Sequence, residues 1–204
     1  MEFAYFAPRV RTHLTRLLAL ALLLALIVSA EGWRDVAPMV ECLLSLSGWI
    51  LVGAGMSGRI WCGSYISGRK NNDLVVEGPY SISRNPLYFF SFIAGLGVMM
   101  VSETLLLPLL FSLLFWGYYP RVIAREEANL RLLHGAAFDA YRARVPRFWP
   151  KFNLYSEPLN YSVSAARFRR NLADVALFVM AGGLVEFIEG MHASGYLPTL
   201  MHIY

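Results

Sequence analysis

Long apolar runs constrain this chain more than any other feature of its sequence. Residues 14–30 and 36–56 approach the roughly 20 apolar residues that a helix needs to cross a bilayer, and further apolar runs follow at 86–101 and 105–119. Of the 204 residues, 57% are hydrophobic and only 16% are charged, unlike the composition of soluble domains. We therefore expect an all-α, polytopic membrane protein.

The first two apolar runs predict two consecutive membrane helices. The run at 14–30 follows three arginines, so it resembles a signal peptide, but a second long run begins almost at once. We therefore expect a retained first transmembrane helix. The second run should continue as a helix through Tyr65, and the polar loop 67–73 should follow it.

The central part of the chain predicts a helical hairpin. A third helix should begin near Pro86, since proline favours the first helical turn, and should end near Val101. The link at 102–104 is so short that the fourth helix, 105–119, must return antiparallel to the third. Beyond Pro120 the chain becomes charged and amphipathic, Gly135 predicts a helix stop, and a short helix at 138–144 leads into a proline-bounded turn at 145–150.

The tail contains one more apolar segment. Residues 172–188 have an uncharged centre at 175–185, bracketed by Asp174 and Glu186. Both a short crossing and a helix lying in the membrane interface are compatible with this length. We favour the crossing, which gives about five transmembrane helices.

The basic residues predict an orientation for these helices. With the N-terminus in the cytoplasm, every Lys and Arg except Arg34 falls on the cytoplasmic side, as the positive-inside rule requires. Because the basic residues lie beside apolar segments, the isoelectric point of about 9.2 indicates an anionic membrane rather than a nucleic acid as partner. The two cysteines, Cys42 and Cys62, are too few for a metal cluster or a disulfide framework.

Two polar clusters interrupt the apolar pattern on that side. Residues 78–88 read GPYSISRNPLY, a proline-punctuated turn whose arginine lies at the mouth of a membrane helix, where charge is costly. The second cluster begins at 125 and contains Arg125, Glu126, Glu127 and His134. Arginines for a carboxylate, glutamates for hydroxyls or an ammonium, and aromatic rings for a purine together suit a zwitterionic, aromatic-bearing ligand. Motifs of nucleophile elbows, phosphate loops, zinc proteases and paired-cysteine redox sites do not occur.

At these clusters the chain resembles the isoprenylcysteine carboxyl methyltransferase and phospholipid methyltransferase superfamily. The first motif is G-P-Y-x-x-x-R-N-P-L-Y at 78–88. The second is E-E-x-x-L-x-x-x-x-G-x-x-F-x-x-Y-x-x-x-V-P-x-x-x-P at 126–150. The resemblance covers residues 59–150, with both motifs in order on either side of the hairpin.

The resemblance implies an integral membrane enzyme that uses S-adenosyl-L-methionine and needs no metal. A cytosolic segment after the hairpin would enclose this cofactor, and a lipid-soluble or lipid-anchored acceptor would enter from the bilayer. The methyltransferase domain would span 1–155, and a C-terminal extension at 156–204 would carry the extra helix. The candidate cofactor-binding residues are Tyr80, Asn85, Pro86, Tyr88, Glu126, Leu130, Tyr141 and Arg147.

Arg84 and Glu127 are the candidate catalytic residues. A carboxylate acceptor needs only orientation, which an arginine can supply, whereas an amine acceptor must lose a proton, which gives Glu127 a role as base. Two simpler interpretations remain: Arg84 as an anchor at the lipid headgroups, and Glu127 with Arg131 as a surface pair one helical turn apart. Asn85 stands where family members often have histidine, and because asparagine cannot exchange a proton, it should bind by hydrogen bonds.

Two other functions compete with methyl transfer. A membrane sterol or enone reductase would bind NADPH through a related arginine-containing turn, although the GPY triplet and the second motif favour the methyltransferase. A non-catalytic membrane scaffold with a degenerate site is the other alternative. The sequence predicts a bacterial inner-membrane location from the compact size of the chain, but neither the acceptor nor the oligomeric state.

Overall fold

The structure, a computed structural model, describes residues 36–67, 73–199 and 201–203, together with 24, 26, 27 and 29–33. Most of the predicted first transmembrane helix, which is also the signal-peptide alternative, and most of the polar loop at 67–73 fall outside these residues. The fold of the described part is therefore built from the second apolar run onwards.

Helices make up most of the described part, which confirms the all-α class. They are α1 (Pro38–Ile66), α2 (Pro79–Ile82), α3 (Pro86–Met100), α4 (Leu106–His134), α5 (Ala136–Arg144) and α6 (Ala165–Ala193), with a 3-10 turn at Phe152–Leu154. Two short strands, β1 (Ser29–Glu31) and β2 (Met201–Ile203), pair in parallel with Ser29 opposite Met201. The strands join the start and the end of the described chain.

Three of these helices are long and apolar enough to cross a membrane, namely α1, α4 and α6, each of 29 residues. At 1.5 Å per residue such a helix measures about 44 Å, more than the roughly 30 Å of bilayer hydrocarbon. The apolar α3 is shorter, with 15 residues. The protein is thus a polytopic membrane protein, and α6 has the length for the crossing that the tail predicts.

The predicted hairpin joins α3 to α4. Its turn contains Glu103, a non-glycine residue with a positive φ of 58°, and the hydroxyls of Ser102 and Thr104 lie 3.2 Å apart. Pro120 does not end α4, which continues to His134. The same helix therefore carries an apolar half and a charged half, and Gly135, with φ of 51°, separates it from α5.

Small residues bring α1 and α3 into close contact. A Cβ on Gly55 would lie 2.5 Å from the Ala94 nitrogen, and one on Gly48 would lie 2.8 Å from the Gly97 carbonyl oxygen. Close backbone approach of this kind is how membrane helices pack, because lipid offers no hydrophobic drive between them. Helix α6 packs against both α1 and α3.

Two apolar clusters support the loops beyond the membrane helices. Phe92, Phe115, Ile123 and Phe148 pack together, which fixes the segment after α5 against α3 and α4. Phe138, Tyr141 and Val145 form another cluster with Leu74, Val76 and Leu130 around it. The clusters hold α5 and the loop that precedes α2 on the charged half of α4.

Candidate active site

The first motif begins at Gly78, where the backbone requires a glycine. Its φ of 59° is in the left-handed region, and a Cβ there would lie 2.3 Å from the ring of Tyr65. The Gly78 N–H donates to the Ser156 carbonyl at 2.7 Å. Pro79 then starts the single turn of α2, and the chain enters α3 at Pro86.

Hydrogen bonds join this turn to the end of the second motif. The Arg84 N–H donates to the Pro146 carbonyl at 2.9 Å, and the Lys151 N–H donates to the Ile82 carbonyl at 2.9 Å. The Ser83 hydroxyl donates to the Phe148 carbonyl at 2.9 Å. The proline-bounded segment 145–150 therefore fixes the turn at 78–86 in place.

Glu127 is the centre of a polar group that we call the Glu127 cluster: Arg84, Asn85, Glu127 and Arg147. Arg84 Nε donates to Glu127 Oε1 at 2.9 Å, and Asn85 Nδ2 donates to the same oxygen at 3.0 Å. Arg147 Nε lies 3.5 Å from Glu127 Oε2. The side chains of Arg84 and Glu127 are only 9% and 13% exposed.

These contacts decide between the simpler interpretations. Arg131 pairs with Asp139 at 3.0 Å and not with Glu127, so a surface pair between Glu127 and Arg131 is wrong. Arg84 is nearly buried, and its Nη1 donates to the carbonyls of Arg142 and Val145, so it does not reach out as a headgroup anchor. Asn85 binds by hydrogen bonds, to Glu127 and to the Arg147 carbonyl.

Glu126 faces away from the Glu127 cluster and lines a cavity. The Tyr88 hydroxyl donates to Glu126 Oε1 at 2.7 Å, which joins α3 to the charged half of α4. Beside this contact lies a cavity of about 630 Å³, within the range of small-molecule sites. Its lining residues come from α1 to α5 and from the loop before α2: Arg59, Ile66, Asp73, Leu74, Val75, Tyr80, Arg84, Asn85, Leu87, Tyr88, Ser91, Tyr119, Arg125, Glu126, Asn129, Leu130 and Tyr141.

The cavity has two ends of different character. Along α4 its wall runs from Tyr119 to Leu130, about 16 Å at the helical rise. The polar end, as we call it, is lined by Arg125, Glu126 and Asn129 on the charged half of α4 and by Asp73 in the loop before α2. Arg59, Ser91 and Tyr119 line what we call the membrane end, on the apolar helices. Charges of both signs therefore meet an apolar wall in one cavity.

Two tyrosines on the wall remain protonated at neutral pH. Burial raises the pKa of Tyr80 well above its ordinary value, and burial likewise raises the pKa of Tyr141. The Tyr141 hydroxyl donates to the Tyr80 carbonyl at 2.7 Å. Both rings can thus offer apolar faces to a ligand, but neither hydroxyl is a base near pH 7.

Most of the residues singled out from the sequence lie together at this cavity. Its lining includes seven of the ten: Tyr80, Arg84, Asn85, Tyr88, Glu126, Leu130 and Tyr141. Pro86, Glu127 and Arg147 lie outside the lining. Glu127 and Arg147 belong to the Glu127 cluster behind the wall, and Pro86 is buried at the start of α3.

Sequence reasoning missed the membrane end. Arg59 on α1, Ser91 on α3 and Tyr119 on α4 are far apart along the chain and belong to neither motif. One signal was present, because an arginine inside a predicted transmembrane helix is costly and marks a functional candidate. The segment 73–75 and Asn129 were also missed, since nothing distinguishes them from ordinary loop and helix residues.

Comparisons with known proteins identify a matching family and similar full-length proteins. Residues 40–137 match the phospholipid methyltransferase family. The nickel-cobalt-cadmium resistance protein NccN of Alcaligenes xylosoxydans xylosoxydans is 35% identical over 196 residues, which are 96% of this chain and 91% of that protein. The cobalt-zinc-cadmium resistance protein CzcN of Cupriavidus metallidurans is 35% identical over 198 residues, 96% of this chain and 89% of that protein.

A eukaryotic enzyme is similar over a shorter stretch. The protein-S-isoprenylcysteine O-methyltransferase of Schizosaccharomyces pombe is 36% identical over 83 residues, which are 40% of this chain and 35% of that protein. No solved structure matches the chain significantly.

Proposed function

This chain belongs to the isoprenylcysteine carboxyl methyltransferase and phospholipid methyltransferase superfamily, and we propose that its methyl donor is S-adenosyl-L-methionine and its acceptor a lipid-soluble or lipid-anchored molecule. It is a membrane methyltransferase. The observation that carries the proposal is the cavity of about 630 Å³, whose lining combines both motifs. Its polar end opens among charged residues and its membrane end lies on apolar helices, so one cavity has a place for a polar donor and for a lipidic acceptor.

The polar end fits the proposed donor. Glu126 and Asp73 can accept hydrogen bonds from an ammonium group or ribose hydroxyls, and Arg125 can bind a carboxylate. Leu74 and Leu130 offer an apolar surface for an adenine ring. Bound there, S-adenosyl-L-methionine would supply a sulfonium-activated methyl group, which the acceptor gains as S-adenosylhomocysteine is released.

The chain's own residues orient the reactants and exclude water. Arg84 lines the cavity, and its Nε donates to Glu127 Oε1 at 2.9 Å, which fixes the guanidinium. We therefore assign Arg84 a role at the reacting groups and Glu127 a positioning role through Arg84 and Asn85. The hydroxyl of Tyr88 holds Glu126 in place, and rigid placement of this kind contributes to catalysis by orientation.

Calorimetry in detergent tests the donor. S-adenosylhomocysteine should bind the wild type, and NADPH should not. Glu126→Gln and Tyr88→Phe should each weaken S-adenosylhomocysteine binding about tenfold, the effect of about 1.4 kcal/mol. Glu186→Gln, on the exposed side of α6, is the matched control. Binding of NADPH alone would favour the reductase instead.

Lipid mass spectrometry tests methyl transfer. Lipids from cells that contain the wild type should include a species one CH₂ heavier than its counterpart in cells without the protein. Cells with Glu126→Gln should lose most of that species. If no methylated product separates the wild type from the empty host, the protein is a scaffold with a degenerate site.

Metal resistance is the setting that we propose for this activity. The two resistance proteins match 96% of the chain, which includes most of the extension at 156–204 and its helix α6. Because α6 packs against α1 and α3, we place the extension in one structural unit with the methyltransferase domain at 1–155, in a bacterial inner membrane. Growth of a host in cobalt or cadmium salts should improve with the wild type and not with Glu126→Gln.

A further inference from the structure

Arg59 lies at the membrane end of the cavity, inside a helix that crosses the membrane. It is seven residues from the end of α1, about 10 Å along the helix axis. Nη1 donates to the Ser91 hydroxyl, whereas Nε is buried and has no hydrogen-bond partner among the described residues. A buried guanidinium N–H without an acceptor is costly in this environment.

No carboxylate of the described residues lies within ion-pair distance of Arg59. Asp174 on α6 is exposed and interacts with it only at longer range. The other ion pairs near the cavity, Arg84 with Glu127 and Arg147 with Glu127, do not involve it. The charge of Arg59 is therefore without a close partner of opposite sign in this part of the molecule.

Helix α6 holds Arg59 in this position. The ring of Phe178 lies 5.3 Å from the guanidinium carbon, in the range of a cation–π contact. Asn171 Nδ2 donates to the Arg59 carbonyl at 3.3 Å, and Gly63 leaves room for Asn171 beside α1. The C-terminal helix thus fixes an arginine on the cavity wall without neutralising it.

We propose that Arg59 binds an anionic head group, a carboxylate or a phosphate, of the acceptor. This inference rests on the proposed function, because the polar end is reserved there for the methyl donor. The apolar helices around the membrane end accommodate the acceptor's hydrocarbon chain, and its anionic head group supplies the close negative charge that neither Ser91 nor Asp174 gives Arg59. Arg59 is then a specificity-determining residue, and α6 positions it.

Simple amphiphiles test the head group. The protein in dodecyl maltoside is titrated by calorimetry with dodecanoate, dodecyl phosphate, dodecylamine and dodecanol, with and without S-adenosylhomocysteine, and the heats from empty micelles are subtracted. One of the two anions should bind at least about tenfold more tightly than dodecanol, and dodecylamine should bind no better than dodecanol. The stronger anion identifies the head group as carboxylate or phosphate.

Variants of Arg59 test the residue. Arg59→Gln should reduce anion binding to the level of dodecanol while it leaves S-adenosylhomocysteine binding within about threefold of the wild type. Arg59→Lys keeps the charge and the fold, and it should weaken the preferred anion at least threefold, because it loses the planar, multidentate contact. Arg169→Gln, at an exposed position near the start of α6, should change neither ligand.

The outcomes separate this inference from the proposed function. If the wild type binds S-adenosylhomocysteine but shows no preference for anions, or if Arg59→Gln and Arg59→Lys keep the full preference, Arg59 is only a structural link between α1, α3 and α6. If S-adenosylhomocysteine does not bind but the anion preference depends on Arg59, the anion site stands and the proposed donor is wrong.

Discussion

Adjacent glutamates on α4 have different surroundings. Glu126 lines the cavity and accepts from Tyr88, whereas Glu127 lies behind the wall and accepts from Arg84 and Asn85. Neighbouring helical residues point about 100° apart, so Glu126 can face the cavity while Glu127 faces the Glu127 cluster. The consequence is that one carboxylate should matter for ligand binding and the other for stability.

Alanine substitutions should separate these roles. Glu127→Ala leaves Arg84 buried without its carboxylate, and removal of one partner of a buried pair costs about 3 kcal/mol or more. Thermal unfolding in detergent, followed by circular dichroism, should show a clearly lower midpoint for Glu127→Ala. Glu126→Ala should keep a nearly wild-type midpoint and lose affinity for S-adenosylhomocysteine. Equal midpoints for the two variants would contradict the assignment of Glu127 to a buried cluster.

The partly buried ring of Tyr80 predicts how stability depends on pH. The pKa of Tyr80 is raised in the folded protein by burial, while in the unfolded chain it is near 10. Below pH 10 the hydroxyl is protonated in both the folded and the unfolded state, so the full contribution of Tyr80 to the free energy of unfolding is present. Above pH 10 the unfolded chain releases the proton first, and the folded protein loses stability as the pH rises towards the folded pKa.

Tyr80→Phe should therefore reduce the alkaline loss of stability. The change removes up to one proton from the difference between the two states, or about 1.4 kcal/mol per pH unit. Unfolding midpoints measured from pH 9 to pH 12 should fall less steeply for Tyr80→Phe than for the wild type. Tyr196→Phe, at a ring that is 78% exposed, is the control and should leave the slope unchanged. An unchanged slope for Tyr80→Phe would show that this hydroxyl is not the one that titrates.

At this scale the sequence predicts residues that lie in motifs and misses those that come together only in space. Tyr80, Arg84, Asn85 and Tyr88 are nearly consecutive, so one pattern marks them all. Arg59 meets Ser91 from 32 residues away and Asn171 from 112 residues away. No local pattern predicts such contacts. The position of Glu127 behind the cavity wall likewise depends on the orientation of α4 about its own axis, which the sequence does not give.

Among the elements, the turn that starts the first motif depends most on one residue. Gly78 and Gly135 both have positive φ, 59° and 51°. Only Gly78 lies against another side chain, since a Cβ there would meet the ring of Tyr65, while the space beside Gly135 is open. The two glycines therefore form a matched pair with the same backbone requirement and different surroundings.

Gly78→Ala should be much more damaging than Gly135→Ala. Both substitutions place a side chain in a sparsely populated positive-φ conformation, which costs about 1–3 kcal/mol. Gly78→Ala must in addition displace the turn from Tyr65 and from its hydrogen bond to Ser156, which moves the cavity wall. Thermal midpoints and S-adenosylhomocysteine affinity should both decrease for Gly78→Ala, whereas Gly135→Ala should lower the midpoint alone. Equal effects would mean that the contact with Tyr65 is not limiting.

The helices differ in how well the sequence predicted them. Pro86 and the short link at 102–104 set the limits of α3 and the hairpin, because proline and loop length act locally. The packing of α6 could not be predicted, since in a membrane the lipid-facing and protein-facing sides of a helix are similarly apolar. A few specific contacts determine which side of α6 packs: Gly182 lies against Trp49, and Asn171 lies beside Gly63.

For the whole molecule, the distribution of charge and the course of the long helices indicate the same orientation in the membrane. Helix α4 has an apolar half and a charged half, and the described basic residues from Arg121 to Arg170 lie on its charged half or in the segments that follow it. Helix α6 then begins on that side and, if it crosses the membrane, ends on the other. The cavity's polar end should therefore face the cytoplasm, where a soluble donor is present.

Cysteine labelling tests this orientation. In a Cys42→Ala, Cys62→Ala background, Asn160→Cys places a thiol in the exposed segment before α6, and Tyr196→Cys places one just after it. A membrane-impermeant maleimide should label Tyr196→Cys in intact spheroplasts and Asn160→Cys only after permeabilisation, because the positive-inside rule keeps the arginine-rich side within the cell. The reverse pattern would invert the molecule and expose the polar end to the outside. Labelling of both thiols before permeabilisation would mean that α6 lies along the membrane surface, and Arg59 would then lose the helix that positions it.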